Sequence, residues 1–209
     1  MDGNVTATYD KTVGTGSLQD ALDNLQRGDT LVLPAGTYTV SGTHTLPAGV
    51  TVMAADGAEV IFKVTSTGDN IFNCEGDAVI KNITMITNRK GYCITDASKD
   101  HDTDGNITVI GCKFYGTEGV DKCYGVYKNL YGNLTLTDCY FDGTTLAIGV
   151  CGLNNANGIQ TTITGCTFEG FTDANPHAID YVTSSVSDSF EEDVIAANTG
   201  LTAANVFGW

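Results

Sequence analysis

Positive charge is what this sequence has least of: its 209 residues carry 10 lysines and arginines against 25 aspartates and glutamates, a formal net charge of -15. The only arginines are Arg27 and Arg89. A nucleic-acid-binding protein neutralises phosphates with a basic stripe, and with none present no nucleic-acid partner is expected. An acidic surface serves solubility first, and it also draws divalent cations and basic partner surfaces. Long apolar runs are missing as well; nothing approaches the ~18 consecutive residues of a membrane helix, so no membrane insertion is expected. The chain opens Met1-Asp2-Gly3-Asn4, without the basic segment and apolar core of an export signal, a beginning that a mature exported protein shares. There are only 3 prolines, and no Pro-, Ser- or charge-rich linker divides the chain. A single domain over 1–209 is expected, with a cap over 1–28, coils over 29–185 and a C-terminal cap or tail over 186–209.

Close cysteine pairs are also absent. None of the 7 cysteines stands in a CxxC pair, which argues against a zinc or redox site. Cys112, Cys139 and Cys166 instead recur every 27 residues, a spacing that suits a stacked ladder of buried thiols better than a disulfide framework. Such a ladder is compatible with folding in a reducing compartment.

What is present in quantity is Gly, Thr and Asn in a repeating pattern. Asn106-Ile107-Thr108-Val109-Ile110-Gly111-Cys112-Lys113-Phe114 returns as Asn133-Leu134-Thr135-Leu136-Thr137-Asp138-Cys139-Tyr140-Phe141. It returns again as Gln160-Thr161-Thr162-Ile163-Thr164-Gly165-Cys166-Thr167-Phe168, and Ile80 to Met85 form a weaker copy aligned with Val109 to Phe114. Each copy reads as a short strand with a shift of face at Gly111 or its equivalent. One copy cannot bury its apolar face alone, whereas stacking copies ~4.8 Å apart makes a continuous core with ladders of Asn/Gln, Cys and Phe. The fold class is therefore all-β: a right-handed parallel β-helix, or solenoid, with a short N-terminal capping helix.

A second strand per coil is expected near Ile71 to Cys74, Tyr92 to Ile94, Tyr124 to Val126, Ala147 to Val150 and Ala178-Ile179, with loops of varying length bulging from one side. Earlier strands are expected at Thr30 to Leu33, Thr37 to Val40, Val50 to Ala54 and Glu59 to Val64. Ser17 begins a helix with Leu18, Ala21, Leu22 and Leu25 on one face, ending at Gly28 and placed to cover the open first coil. At the far end Ser189 and Glu192 have capping-box spacing ahead of an apolar stretch.

The strand Thr30-Leu31-Val32-Leu33, the turn Pro34-Ala35-Gly36-Thr37-Tyr38, the phrase Leu46-Pro47-Ala48-Gly49-Val50-Thr51-Val52 and the later Cys-x-Phe rungs resemble the pectin-lyase-like superfamily over nearly the whole chain. The resemblance implies the β-helix fold. It implies no single activity, because the superfamily includes polysaccharide lyases and hydrolases, phage tailspikes and capsid-attached proteins, and bacterial adhesins.

The catalytic signatures of the superfamily's enzymes are not matched. Arg27 falls in the cap and Arg89 in a loop with Lys90, so no convergent basic site is visible, and the paired-aspartate, Gly-His-Gly and Arg-x-Lys signatures of the hydrolases are missing. Asp173, His177 and Asp180 form the best acid-base grouping, but a histidine beside a proline in a loop is first of all a solvated one. No catalytic residue is assigned, and the reading leans away from an enzyme.

Asp100, Asp102 and Asp104 precede Gly105 at alternate positions, like the opening of a calcium loop; the twelfth position is Gly111 where the bidentate Glu belongs, so Ca2+ is the one cofactor worth testing. The Asn-x-Thr triplets at Asn4, Asn82, Asn106 and Asn133 read as turn or ladder asparagines rather than glycosylation sites. Tyr115, Tyr124, Tyr127, Tyr131 and Tyr140 lie around the variable loops, where rings can stack on sugars or anchor a partner.

The expectation is a non-catalytic structural or binding module on a virion surface, a capsid-decoration or tail and receptor-binding protein. The alternatives are a bacterial cell-surface adhesin and a polysaccharide lyase or glycoside hydrolase. Expected partners are other virion or cell-surface proteins and glycans, with homo-oligomers compatible with the pattern.

Overall fold

A computed structural model describes residues 6–8, 15–96, 105–128, 132–153, 160–183 and 186–209. β1 (Thr6–Thr8) and the helix α1 (Thr15–Asp23) precede the coils. Three coils follow: β2 (Thr30–Leu33), β3 (Gly36–Val40) and β4 (His44–Leu46); β5 (Val50–Ala54), β6 (Val60–Val64) and β7 (Phe72–Cys74); β8 (Ala78–Lys81), β9 (Thr84–Thr87) and β10 (Tyr92–Asp96). Three more are β11 (Ile107–Ile110), β12 (Lys113–Gly116) and β13 (Tyr124–Tyr127); β14 (Leu134–Thr137), β15 (Tyr140–Asp142) and β16 (Ile148–Cys151); β17 (Thr161–Thr164), β18 (Thr167–Glu169) and β19 (Ile179–Tyr181). The chain ends with α2 (Phe190–Ala197) and β20 (Val206–Gly208).

The strands are too short to bury a face within one coil, and they pair between coils. Sheet A runs β1-β2-β5-β8-β11-β14-β17, sheet B runs β3-β6-β9-β12-β15-β18, and sheet C runs β4-β7-β10-β13-β16-β19-β20. All pairs are parallel, so the chain is a three-faced parallel β-solenoid. The register is the one the repeat predicts: Ile80, Val109, Leu136 and Ile163 align in sheet A, and Met85, Phe114, Phe141 and Phe168 in sheet B. Each coil has three strands where the repeat suggested two. What reads as a shift of face at Gly111 is a corner that passes the chain from sheet A to sheet B.

That corner explains its own sequence. Asn82, Gly111, Asp138 and Gly165 occupy it in successive coils with φ between 53° and 65°, the left-handed region that Gly, Asn and Asp enter most readily. A Cβ on Gly165 would stand 2.3 Å from Asp138 Oδ1, so an Asp or Asn in one coil calls for a Gly in the next.

Between sheets C and A, Asn106 Nδ2 donates to Asp77 Oδ1 at 2.9 Å, the Asn133 N–H to Asn106 Oδ1 at 2.8 Å and the Gln160 N–H to Asn133 Oδ1 at 3.1 Å. Asn106 and Asn133 are thus ladder residues, and Arg27 closes the row on Asp77 at 3.1 Å.

Inside, Phe114, Phe141 and Phe168 stack with centroids 4.6 and 4.7 Å apart and planes within 12°. All seven cysteines are free and buried. The Cys139 N–H donates to Cys166 Sγ at 3.4 Å, the thiol ladder in its expected register. Burial pushes the Cys112 thiol up to about 12, and the Cys166 contact together with burial pushes Cys139 higher still.

Both ends are closed by the chain itself. Leu18 and Leu22 of α1 are buried, and the helix ends at Asp23 rather than Gly28. Gln19 Oε1 accepts from the Thr45 N–H at 3.2 Å, and Gln19 Nε2 donates to the Thr45 carbonyl at 3.4 Å. One side-chain amide therefore stands in for the missing strand beside β4, the end of sheet C. At the other end α2 lies against β17, burying Phe190 and Val194. Asn198 Nδ2 donates to the Ile163 carbonyl and Asn198 Oδ1 accepts from the Cys166 N–H. The expected capping box does not form: Ser189 Oγ bonds Asp193 Oδ2 at 2.7 Å, because the backbone at Ser189 is already helical. The tail is no loose end, since β20 pairs with β19 and lengthens sheet C. Likewise β1, within the stretch read as a cap, pairs with β2.

Candidate functional site

On β10, β13 and β16 the burial alternation breaks: two or three successive residues are buried, as in Cys93-Ile94-Thr95, Gly125-Val126 and Gly149-Val150-Cys151. Gly125 and Gly149 have no room for a side chain, because phenylalanine rings and neighbouring carbonyls fill this corner. A Cβ on Gly125 would meet Gly149 O at 2.3 Å and Phe141 Cε1 at 3.2 Å. The doubled inward step leaves Tyr124 and Tyr127, three residues apart, both half-buried rather than sealed in the core.

Tyr92 stacks on its register partner Tyr124 with centroids 4.9 Å apart and packs against Tyr127 at 5.1 Å. The three rings form one cluster. Burial pushes the Tyr92 hydroxyl up to about 12, helped by Cys151 and the two neighbouring tyrosines, so it stays a neutral donor at physiological pH.

Of the five tyrosines expected to stack on sugars or anchor a partner, Tyr124 and Tyr127 belong to this sheet C cluster. Tyr115 and Tyr140 meet on sheet B at 5.7 Å, and Tyr140 donates to Glu169 Oε2 at 2.9 Å. No ring contact among the described residues links them to the sheet C cluster, and Tyr131 lies outside the described residues. Tyr92, not among the five, proves to be the centre of the cluster. Its place on a strand was legible in Tyr92-Cys93-Ile94, but it precedes the clear repeats, so its alignment with Tyr124 was not.

The corner from sheet B to sheet C adds a lysine to the loop of Arg89 and Lys90. The Lys90 N–H donates to the Lys122 carbonyl at 2.7 Å, so the backbones of Arg89, Lys90 and Lys122 meet beside the tyrosine strands. Arg89 is held by Asp121 at 3.2 Å. Lys90 and Lys122 have φ of 63° and 59°, where Gly68 serves the preceding coil, a conformation that costs a lysine about 1 kcal/mol or more.

His177 Nδ1 lies 2.9 Å from Asp180 Oδ1, the approach expected for the acid-base grouping, and its ring packs on Phe207 at 4.9 Å. Asp173 makes no hydrogen bond or ion pair with either among the described residues, so it does not join the dyad. Asp100, Asp102 and Asp104 lie outside the described residues, and no cluster of metal-ligating side chains is found among those described. No family model matches this chain, and no curated protein is significantly similar to it.

Proposed function

We propose that this solenoid is a non-catalytic structural and binding module displayed on a surface, that glycans stack on the Tyr92, Tyr124 and Tyr127 cluster, and that it serves a virion as a capsid-decoration or tail protein of the pectin-lyase-like kind. The observation that carries the reading is the ring cluster itself. Three neutral tyrosines are fixed on adjacent strands of a rigid sheet, so their faces and hydroxyls meet a sugar at little cost in side-chain entropy. Lys90 and Lys122 at the adjoining turn favour acidic sugars over neutral ones.

The test is an array of neutral and acidic polysaccharides probed with the wild-type protein and with Tyr92→Ala and Tyr124→Ala. Loss of at least about tenfold in affinity is expected where a stacked ring is removed, with little change in melting temperature. Unchanged binding in both variants overturns the site. Unsaturated products or new reducing ends released by the wild-type protein overturn the non-catalytic reading.

A further inference from the structure

The least expected feature of the interior is a pair of charges. Asp96 closes β10 directly above Cys74 of β7, and Lys128 follows β13 in the next coil. Both point inward from sheet C, with side chains 3% and 0% exposed, and Lys128 Nζ lies 3.0 Å from Asp96 Oδ2. The backbone holds them there: the Lys128 N–H donates to the Cys151 carbonyl at 3.0 Å, and Thr95 and Tyr127, one residue earlier, are register partners. The amine nitrogen is therefore held within hydrogen-bond distance of the carboxylate by two paired strands.

We propose that Lys128 and Asp96 condense into an intramolecular amide, a covalent rung between two adjacent coils. No co-reactant is needed. One ammonium proton passes to the carboxylate, the Nζ lone pair attacks Cγ, and the Cγ–Oδ bond breaks; the leaving hydroxyl takes a second Nζ proton and departs as water. Of the three ammonium protons one stays on the amide nitrogen and two leave with the oxygen.

The environment drives this in the forward direction. Condensation replaces two buried charges with one neutral amide and so removes their desolvation cost. Fixed neighbours on paired strands also spare the encounter entropy that prevents the same condensation in solution. The Cys74 thiol on the rung below, pushed up to about 12 by burial, stays protonated and adds no competing charge. This inference is independent of the glycan reading.

The experiment is the intact mass of the purified wild-type protein under denaturing conditions, fresh and after days at neutral pH, followed by peptide mapping. The expected result is a mass lower than the sequence mass by one water, with a branched peptide joining the ends of β10 and β13. Asp-Gly pairs such as Asp56-Gly57 and Asp142-Gly143 lose the same mass as succinimides. Hydroxylamine removes that loss and leaves the amide. Lys128→Arg, whose guanidinium does not acylate, is expected to keep its full mass. A folded wild-type protein at full sequence mass after incubation overturns the proposal, as does a hydroxylamine-resistant water loss that persists in Lys128→Arg.

Discussion

Phe141 shows what one residue contributes in a ladder. Its ring is fully buried with Phe114 on one side and Phe168 on the other, so truncation empties both interfaces at once. The neighbours are pinned by their own strand pairing and cannot close the gap. Phe141→Ala is expected to cost about 3–5 kcal/mol, at the upper end of that range, as measured by urea unfolding. A loss under about 1 kcal/mol means that the stack is not a close-packed one. This residue was legible from the sequence because the ladder repeats with a fixed period. Asp96 and Lys128 were not, since a single carboxylate and a single lysine read as surface residues until the register shows both turned inward.

At the scale of elements, periodicity gave the register between coils from Ile80 to Phe168, because these segments use the same residue classes, but it read the sheet A and sheet B strands of each coil as one strand with a shift of face. Sheet C was placed but not understood. Its doubled inward step depends on small residues meeting the phenylalanine stack across the coil, a tertiary fact with no local signal. The cap was legible as an amphipathic helix, yet its attachment through Gln19 was not. That attachment carries a pH dependence. His44 is buried beneath α1 with Nδ1 3.1 Å from Gln19 Oε1, and burial lowers its pKa from 6.5. A lowered folded pKa contributes stability that is present above 6.5 and lost as pH falls through the folded value, because the unfolded imidazole takes the proton first. Amide exchange in α1, after correction for intrinsic rates, is expected to quicken relative to the sheets below that pH. His44→Gln removes the difference; an equal response in the variant means that the cap is not held through His44.

For the whole molecule, the consequence of a thiol-filled core appears at high pH. Cys74, Cys112 and Cys151 each rise from 9.0 to about 12, chiefly through burial. In the unfolded chain the same thiols ionise near 9. A raised folded pKa contributes stability that is complete below the unfolded value and declines as pH rises toward the folded one. Three pH units correspond to about 4 kcal/mol for each such thiol, and three together rival the whole stability of an ordinary domain. Ionisation also adds to a net charge already at -15, so self-repulsion acts in the same direction. The solenoid is therefore expected to unfold cooperatively well before pH 12, with a midpoint near pH 10–11 seen by circular dichroism. Replacing Cys112 with alanine exchanges a small cavity for the loss of one titrating group. That variant is expected to be weaker at pH 7 and less sensitive to pH between 9 and 11. Wild-type stability constant across that interval requires that the thiols be hydrated in the folded state, which would dismantle the stacked core.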